Sequence, residues 1–520
     1  MPAISAHFAK GPEAQAVLDG IHSQFQLPTE TLSELTGQFL EEFKVGLGNY
    51  NHPMAMIPTF VTGVPDGTET GTFLALDLGG TNMRVCEVVL HGDKTFTLRQ
   101  QKYKVSTALK TGEATALFDY LADSVDAFLT SHPPTDPPVG RGNPLEPTPD
   151  VVHLGLTFSF PVEQTALDSG KILTWTKGFS AKHAIGNDVV KLLQDAFDRK
   201  HMHVKCVALV NDTVGALLSR SYTAGGCVLG AIFGTGTNGA YVEDLSNIRK
   251  LANDPAASRG GLMVVNTEWG AFNNSRSHLP STPFDNGLDR LSINPSFQAF
   301  EKMISGMYLG EITRNILLSL VDAAPKSLLF GGKTTPALNA QWGFDTSVMS
   351  GVEEAWEGKD SKNDNGGNPV PQLSDFGSPE KLDPTVKAKL ERIRAVLVKE
   401  LAFAEADVSL RDAAIVKWAS SLVARRAALL SGVAVATVLI QTGRAVLSGQ
   451  EGKPTKNEPK IGVGVDGSLI EFYPHFEATL RESLRTLVGE EVEKRVDIGM
   501  AKDGSGVGAA LCALQAIKSM

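Results

Sequence analysis

Six short stretches of this 520-residue chain put chemistry-bearing side chains where a turn of backbone would aim them at a ligand. LALDLGGTN (residues 74–82) ends an apolar run on a carboxylate, Asp77, then adds two glycines, a threonine and an asparagine. Glycine lets backbone close on an oxyanion, and successive N–H groups in such a turn form an anion cradle. Asp77 beside that cradle is placed to hold Mg²⁺ through water, as phosphoryl transfer needs. A hairpin turn chosen for geometry alone reads the same way. The P-loop spacing G-x-x-x-x-G-K-[ST] is missing. GTGTN (234–238) is a second glycine turn, and two such turns suit two clamps on one polyphosphate.

VALVNDT (207–213) sets Asn211 and Asp212 between a buried strand and a helical pattern. An Asp there caps the helix or, at the mouth of a cleft, takes a proton from a hydroxyl. A loose phosphoryl-transfer transition state asks little of such a base, so its pKa need not be high. TWTKGF (174–179) places Thr176 and Lys177 between aromatics, which suits a sugar and describes a surface lysine equally well. Glu268 (NTEWG) and Glu301 (AFEKM) lie among apolar neighbours. A carboxylate accepts two hydroxyl hydrogen bonds and so fits a vicinal diol; a solvated helix edge is the alternative.

The elements that must position these groups follow from pattern. The first ~60 residues show helical spacing (Leu32, Leu35, Phe39, Leu40, Phe43). A turn-rich break at 63–71 precedes two apolar runs, 73–78 and 83–90, joined by the GGTN turn, which read as a hairpin. Runs 151–156 and 204–210 suit buried strands. A second strand–glycine turn–strand unit covers 227–242. The unit recurs in plan, not residue by residue; it indicates two related lobes with an ATP cleft between them, unless the recurrence is chance. Residues 427–440 read as a buried helix, and the C-terminal third is mostly helical, ending in a glycine-rich turn that feeds a helix.

Segment 131–150 holds seven prolines and cannot be helix or central strand; it reads as an exposed insertion. Polar insertions also stand near 357–367 and 450–460. Net charge −10 argues against a nucleic-acid partner. No stretch of ~18 uncharged apolar residues predicts a membrane span, and the N-terminus lacks a signal-peptide core. The four scattered cysteines form no C-x-x-C pair and suit free thiols in a reducing compartment. His201 and His203 read as a polar turn before a strand.

Taken in order, LALDLGGTNMRV, LGLTFSFPV, TWTKGF, ALVNDTVGAL, IFGTGTNGAY, NTEWGAF, FEKMISGMYLGEI, VGVDGSLIEFYPHF and DGSGVGAAL resemble the eukaryotic hexokinase family. The stretch 279–312 is closer to fungal glucokinases than to fungal hexokinases of broad specificity. The resemblance implies an α/β fold of two actin-like (ribonuclease H-like) lobes with an interlobe active-site cleft. The small lobe would hold 72–211 plus 501–520, and the large lobe 1–71 plus 212–500. It implies transfer from ATP, with Mg²⁺, to the 6-hydroxyl of glucose. Asp212 would be the general base and Lys177 would neutralise the transferring phosphoryl. Ser159, Thr176, Lys177, Asn211, Asp212, Asn238, Glu268 and Glu301 would hold the sugar. Asp77, Leu78, Gly79, Gly80, Thr81, Asn82, Lys102, Thr235 and Gly236 would meet the nucleotide phosphates, with Thr346, Gly467 and Ser468 on the adenosine side. One kinase unit, cytoplasmic and monomeric, is expected. The alternatives are a catalytically silent glucose sensor, which should show damage at Asp212, Lys177 or the glycine turns, and an actin-like ATPase, which has no use for a sugar loop.

Overall fold

The computed structural model describes residues 12–79, 82–132, 151–175, 178–255, 260–358 and 382–519. Its strands in chain order are β1 (Ile57–Pro58), β2 (Thr70–Leu78), β3 (Asn82–His91), β4 (Phe96–Lys104), β5 (Val152–Phe158), β6 (Val162–Ala166), β7 (Ser169–Ile172), β8 (Val204–Val210), β9 (Cys227–Phe233), β10 (Thr237–Asp244), β11 (Leu262–Asn266), β12 (Ile461–Asp466) and β13 (Val496–Met500). One sheet runs β4-β3-β2-β5-β8 and the other β1-β11-β10-β9-β12-β13, while β6 and β7 form a separate hairpin.

In the first sheet β2, β3 and β4 make an antiparallel meander, and β5 and β8 follow parallel to β2. In the second, β9, β10 and β11 make the same meander, and β12 and β13 follow parallel to β9. Both sheets therefore share one order, third–second–first–fourth–fifth, with β1 added at an edge of the second. The recurring strand–glycine turn–strand plan is a duplicated topology, and the fold is α/β of the two-lobed, actin-like kind.

Two helices join the sheets. Helix Asp212–Ala224 packs on β9, β10 and β12, and helix Gly504–Ser519 packs on β2, β5 and β8. They also pack on each other, backbone to backbone: a Cβ on Gly508 would stand 2.2 Å from Gly215 Cα. The C-terminal glycines thus serve close helix crossing rather than a flexible tail. Buried apolar residues form a large core under the second sheet, a smaller one under the first, and a third along this helix pair.

The expected helix at 427–440 is the second half of a longer one, Leu410–Gln441, opened by a Ser409–Asp412 capping box. It is long and apolar enough to cross a membrane, yet 89% of its apolar window is buried inside the fold. Arg426 on this helix is fully buried; its guanidinium meets Asp285 at 2.6 and 2.7 Å and lies over the Phe25 ring. The sequence's N-terminal helical spacing corresponds to Pro12–Gln24 and Thr29–Gly48, with Leu40 only half-buried. His201 stands in the turn before β8. All four cysteines are free and buried; burial pushes Cys86, Cys206 and Cys512 up to about 12 and Cys227 to about 11. The stretch at 450–460 lacks helix or strand, and most of the other two insertions, at 131–150 and near 357–367, falls outside the described residues.

Candidate active site

Carboxylate Asp77 ends the core of β2 because alternating apolar neighbours fix its register, with Leu76 and Leu78 fully buried on either side. Across the ladder, Asp77 faces Arg84 on β3, and Arg84 faces Lys102 on β4. Residues directly opposite share one face of a sheet, so Asp77, Arg84 and Lys102 form a row. Arg84 donates to Asp77 Oδ2 from Nε (3.0 Å) and from Nη2 (2.6 Å). Asp77 is only 5% exposed, while Lys102 and Asn82 are open to solvent. The turn closes with Gly79 N–H donating to Asn82 carbonyl at 3.1 Å. Gly80 and Thr81 lie outside the described residues.

At 211–212 the two sequence alternatives separate. Asn211, not Asp212, is the N-cap: its Oδ1 accepts from Thr213 N–H at 3.0 Å and from Thr213 Oγ1 at 2.7 Å. Asp212 is the first helical residue, half-buried, with Oδ1 accepting Thr213 N–H at 2.9 Å. The capping work is done by its neighbour, so the Asp212 carboxylate is not needed to start the helix. Asp466, at the end of β12, shares this space. Burial first, and then the Asp212 charge, hold its carboxyl above the usual carboxylate range, while Gly467 N–H and Arg84 pull it back. These couplings bring β12, the Asp212 helix and the β2–β3 hairpin to one cleft.

A second cluster is built on β10 and β11. Asn238 Nδ2 donates to Asn266 Oδ1 at 2.8 Å and reaches Glu268 Oε1 at 3.3 Å; Asn266 Nδ2 donates to the same Glu268 oxygen at 2.9 Å. Glu268 holds a left-handed backbone, φ 55° and ψ 42°, a conformation non-glycine residues adopt at a cost and chiefly at functional sites. Gln298, just before helix Ala299–Ile304, is left-handed as well. Glu301 on that helix accepts Thr237 N–H at 3.0 Å through Oε2. A Cβ on Gly236 would stand 2.7 Å from that oxygen, so glycine there makes room for the carboxylate.

Turn 234–236 is braced from two sides. Gly306 N–H donates to Gly234 carbonyl at 2.7 Å and Met307 N–H to Thr235 carbonyl at 3.1 Å. Gly467, at φ 118°, lies against it, and a Cβ there would stand 2.5 Å from Phe233 carbonyl. Thr235, Gly236, Gly467 and Ser468 are thus together. Thr346 is tied to this turn through Gly306. Its hydroxyl donates to Gly306 carbonyl at 2.6 Å and accepts Gly310 N–H at 2.9 Å, a bracing role.

Ser159 follows β5, half-buried. Trp175 stacks on Phe179 and meets Phe160 edge-on, with its Nε1–H donating to Ala181 carbonyl at 3.0 Å. Thr176 and Lys177, next to it, lie outside the described residues. Arg84, Asn266, Gln298 and Asp466 were not singled out in the sequence. Only Arg84 carried a usable signal, since hairpin pairing through a short turn sets it opposite Asp77.

Family models, both described as Hexokinase, match residues 17–222 and residues 228–366 with 372–515. Curated relatives include a glucokinase of Aspergillus niger, 40% identical with 96% of each chain covered. Glucokinase-1 of Saccharomyces cerevisiae is 38% identical, over 96% of this chain and 97% of that one. Among solved structures, hexokinase from Schistosoma mansoni complexed with glucose aligns at TM-score 0.76 and 33% identity, covering 96% of this chain and 98% of that chain. Duplicated topology, paired glycine turns and full-length matches lead to one conclusion: the chain belongs to the hexokinase family of sugar phosphotransferases.

Proposed function

We propose that this protein transfers the γ-phosphoryl of ATP to the 6-hydroxyl of glucose, giving glucose 6-phosphate and ADP, as a cytoplasmic monomer. The observation that carries the reading is the division of labour at 211–212, where Asn211 caps the helix and leaves Asp212 at the cleft. The small lobe comprises 72–211 with 501–520, and the large lobe 1–71 with 212–500. Asn238, Glu268 and Glu301 on the large lobe, with Asn211, Asp212, Ser159, Thr176 and Lys177, hold the sugar hydroxyls. Asp212 takes the 6-hydroxyl proton as the oxygen bonds to the γ-phosphorus and the bond to the departing ADP breaks. Lys177 offsets charge on the transferring group, and the turns at 79–82 and 234–236 present N–H groups to the phosphates.

Among the described residues no three acidic, imidazole or thiol groups converge to hold a metal directly. Carboxylates outnumber cations around Arg84, however, with Asp77, Asp466 and Asp503 all within electrostatic reach. That donor set fits Mg²⁺ arriving with the nucleotide and keeping most of its waters, with Asp77 meeting one of them. Bound there, it would neutralise phosphate charge. Purified protein with glucose, ATP and Mg²⁺ should release ADP and glucose 6-phosphate in equal amounts. Absence of product, or ADP release at the same rate without sugar, would overturn the reading.

A further inference from the structure

Asn238 cannot orient its own amide freely. Its Oδ1 accepts Gly239 N–H at 2.8 Å, and a backbone N–H can only donate, so that oxygen is pinned inward. The Nδ2 group must therefore face the other way, toward Asn266 Oδ1 at 2.8 Å. With its oxygen so used, Asn266 presents Nδ2 to Glu268 Oε1 at 2.9 Å. Each orientation dictates the next, from Gly239 through Asn238 and Asn266 to Glu268. Asn266 is the last residue of β11 and 4% exposed, held in register between Ala240 and Ile57. The Glu268 backbone leaves the strand in a left-handed turn, and the amides of Asn266 and Asn238 both reach its Oε1.

From this chain of hydrogen bonds we infer that Asn266 is a positioning residue for sugar recognition: it fixes the amide of Asn238 and the carboxylate of Glu268 as one prealigned acceptor–donor surface. The inference rests on the proposed reading of Asn238 and Glu268 as sugar contacts. Asn266, nearly buried, would act through these two partners. Its effect falls on ground-state binding of the hydroxyls remote from the reacting one, and so on KM rather than kcat.

Asn266→Asp keeps the acceptor for Asn238 and replaces the donor to Glu268 with a second carboxylate oxygen. Two carboxylates at that separation cannot both be ionised and undisturbed, so they share a proton or part. In the full-length protein, N266D should raise the glucose KM about tenfold to a hundredfold near pH 8, with kcat within about threefold and the ATP KM unchanged. The defect should shrink toward about pH 6, where the shared proton restores the link. N266A, which removes the link without adding charge, should raise the KM about tenfold with no new pH dependence. Glucose binding by calorimetry without ATP should move in parallel. An unchanged KM in both variants, a loss of kcat with KM intact, or an N266D defect indifferent to pH would each overturn the inference. So would loss of fold in both variants, which would make Asn266 a structural residue only; if N266D alone fails to fold, N266A decides. Wild-type protein inactive toward glucose would instead sink the underlying reading, and it shows before any variant is made.

Discussion

Asp212→Asn removes the proposed base and almost nothing else. Asn is isosteric, and its Oδ1 can keep accepting Thr213 N–H at 2.9 Å. The Asn211 cap is untouched. The charge lost at the first position of a helix is worth about 0.3–1 kcal/mol. Part of that is returned, because Asp466 no longer feels the Asp212 charge. Stability should therefore change by less than about 1 kcal/mol. Turnover should fall by about 10²–10⁴, the usual loss for a positioned base. At about 1.36 kcal/mol per decade that is roughly 3–5 kcal/mol of barrier. The assay is ADP release at saturating glucose and ATP, alongside calorimetric glucose affinity and a melting curve. Turnover above about a third of wild type would refute the base assignment. A fall in turnover matched by an equal fall in glucose affinity would reassign Asp212 to binding.

Gly236→Ala should push the Glu301 carboxylate off Thr237 N–H, since the new methyl carbon would stand 2.7 Å from Oε2. The glucose KM should rise about tenfold; a KM within about twofold of wild type would show that Glu301 does not hold sugar. Asp466→Asn tests the raised carboxyl. Burial, then Asp212, raises its folded pKa, so its stabilising contribution is present below the unfolded value of about 3.9 and lost as pH rises through the folded one. The variant should melt higher than wild type at neutral pH, and the gap should close on acidification toward about pH 4; equal melting at both pH values contradicts the assignment. Glucose should be used with higher kcat/KM than fructose, since the 279–312 stretch is glucokinase-like; equal use in steady-state assays would place the protein with broad-specificity hexokinases.

The strands were legible because apolar runs end on polar turn or cap residues: Cys227–Phe233 stops at the GTGTN turn and Val204–Val210 at Asn211, where pattern put them. The sheet order was legible only through the recurrence of the strand–glycine turn–strand unit. Residues 211–212 could not be settled locally, because Asn and Asp make equally good caps and only the Thr213 hydrogen bonds separate them. Asn266 and Asp466 were missed for a different reason. Each acts through a partner brought near by the fold: Asn238 lies on a neighbouring strand, and Asp212 is far away in the chain. Thr346 was expected on the adenosine side; its hydroxyl joins Gly306 carbonyl to Gly310 N–H, a link no local motif encodes.

The helix crossing ties these pieces into one device. Asp212 opens one helix and Gly504 opens the other, and they touch close to both openings: a Cβ on Gly215 would stand 2.6 Å from Gly504 carbonyl. Each helix is committed to a different sheet. Any change in the angle between the sheets is therefore felt at this crossing, where glycine backbones meet within a buried apolar core. The hairpin of β2 and β3 and the hairpin of β9 and β10 belong to different sheets, and the Asn238–Asn266–Glu268 cluster belongs to the second. A sugar held by both sides would set the angle at the crossing and, with it, the approach of Asp212 to the phosphates. Water is a nucleophile much like a sugar hydroxyl, but it cannot bridge the two sides. It would leave the angle unset, and that difference is what would separate a kinase from an ATPase at such a site.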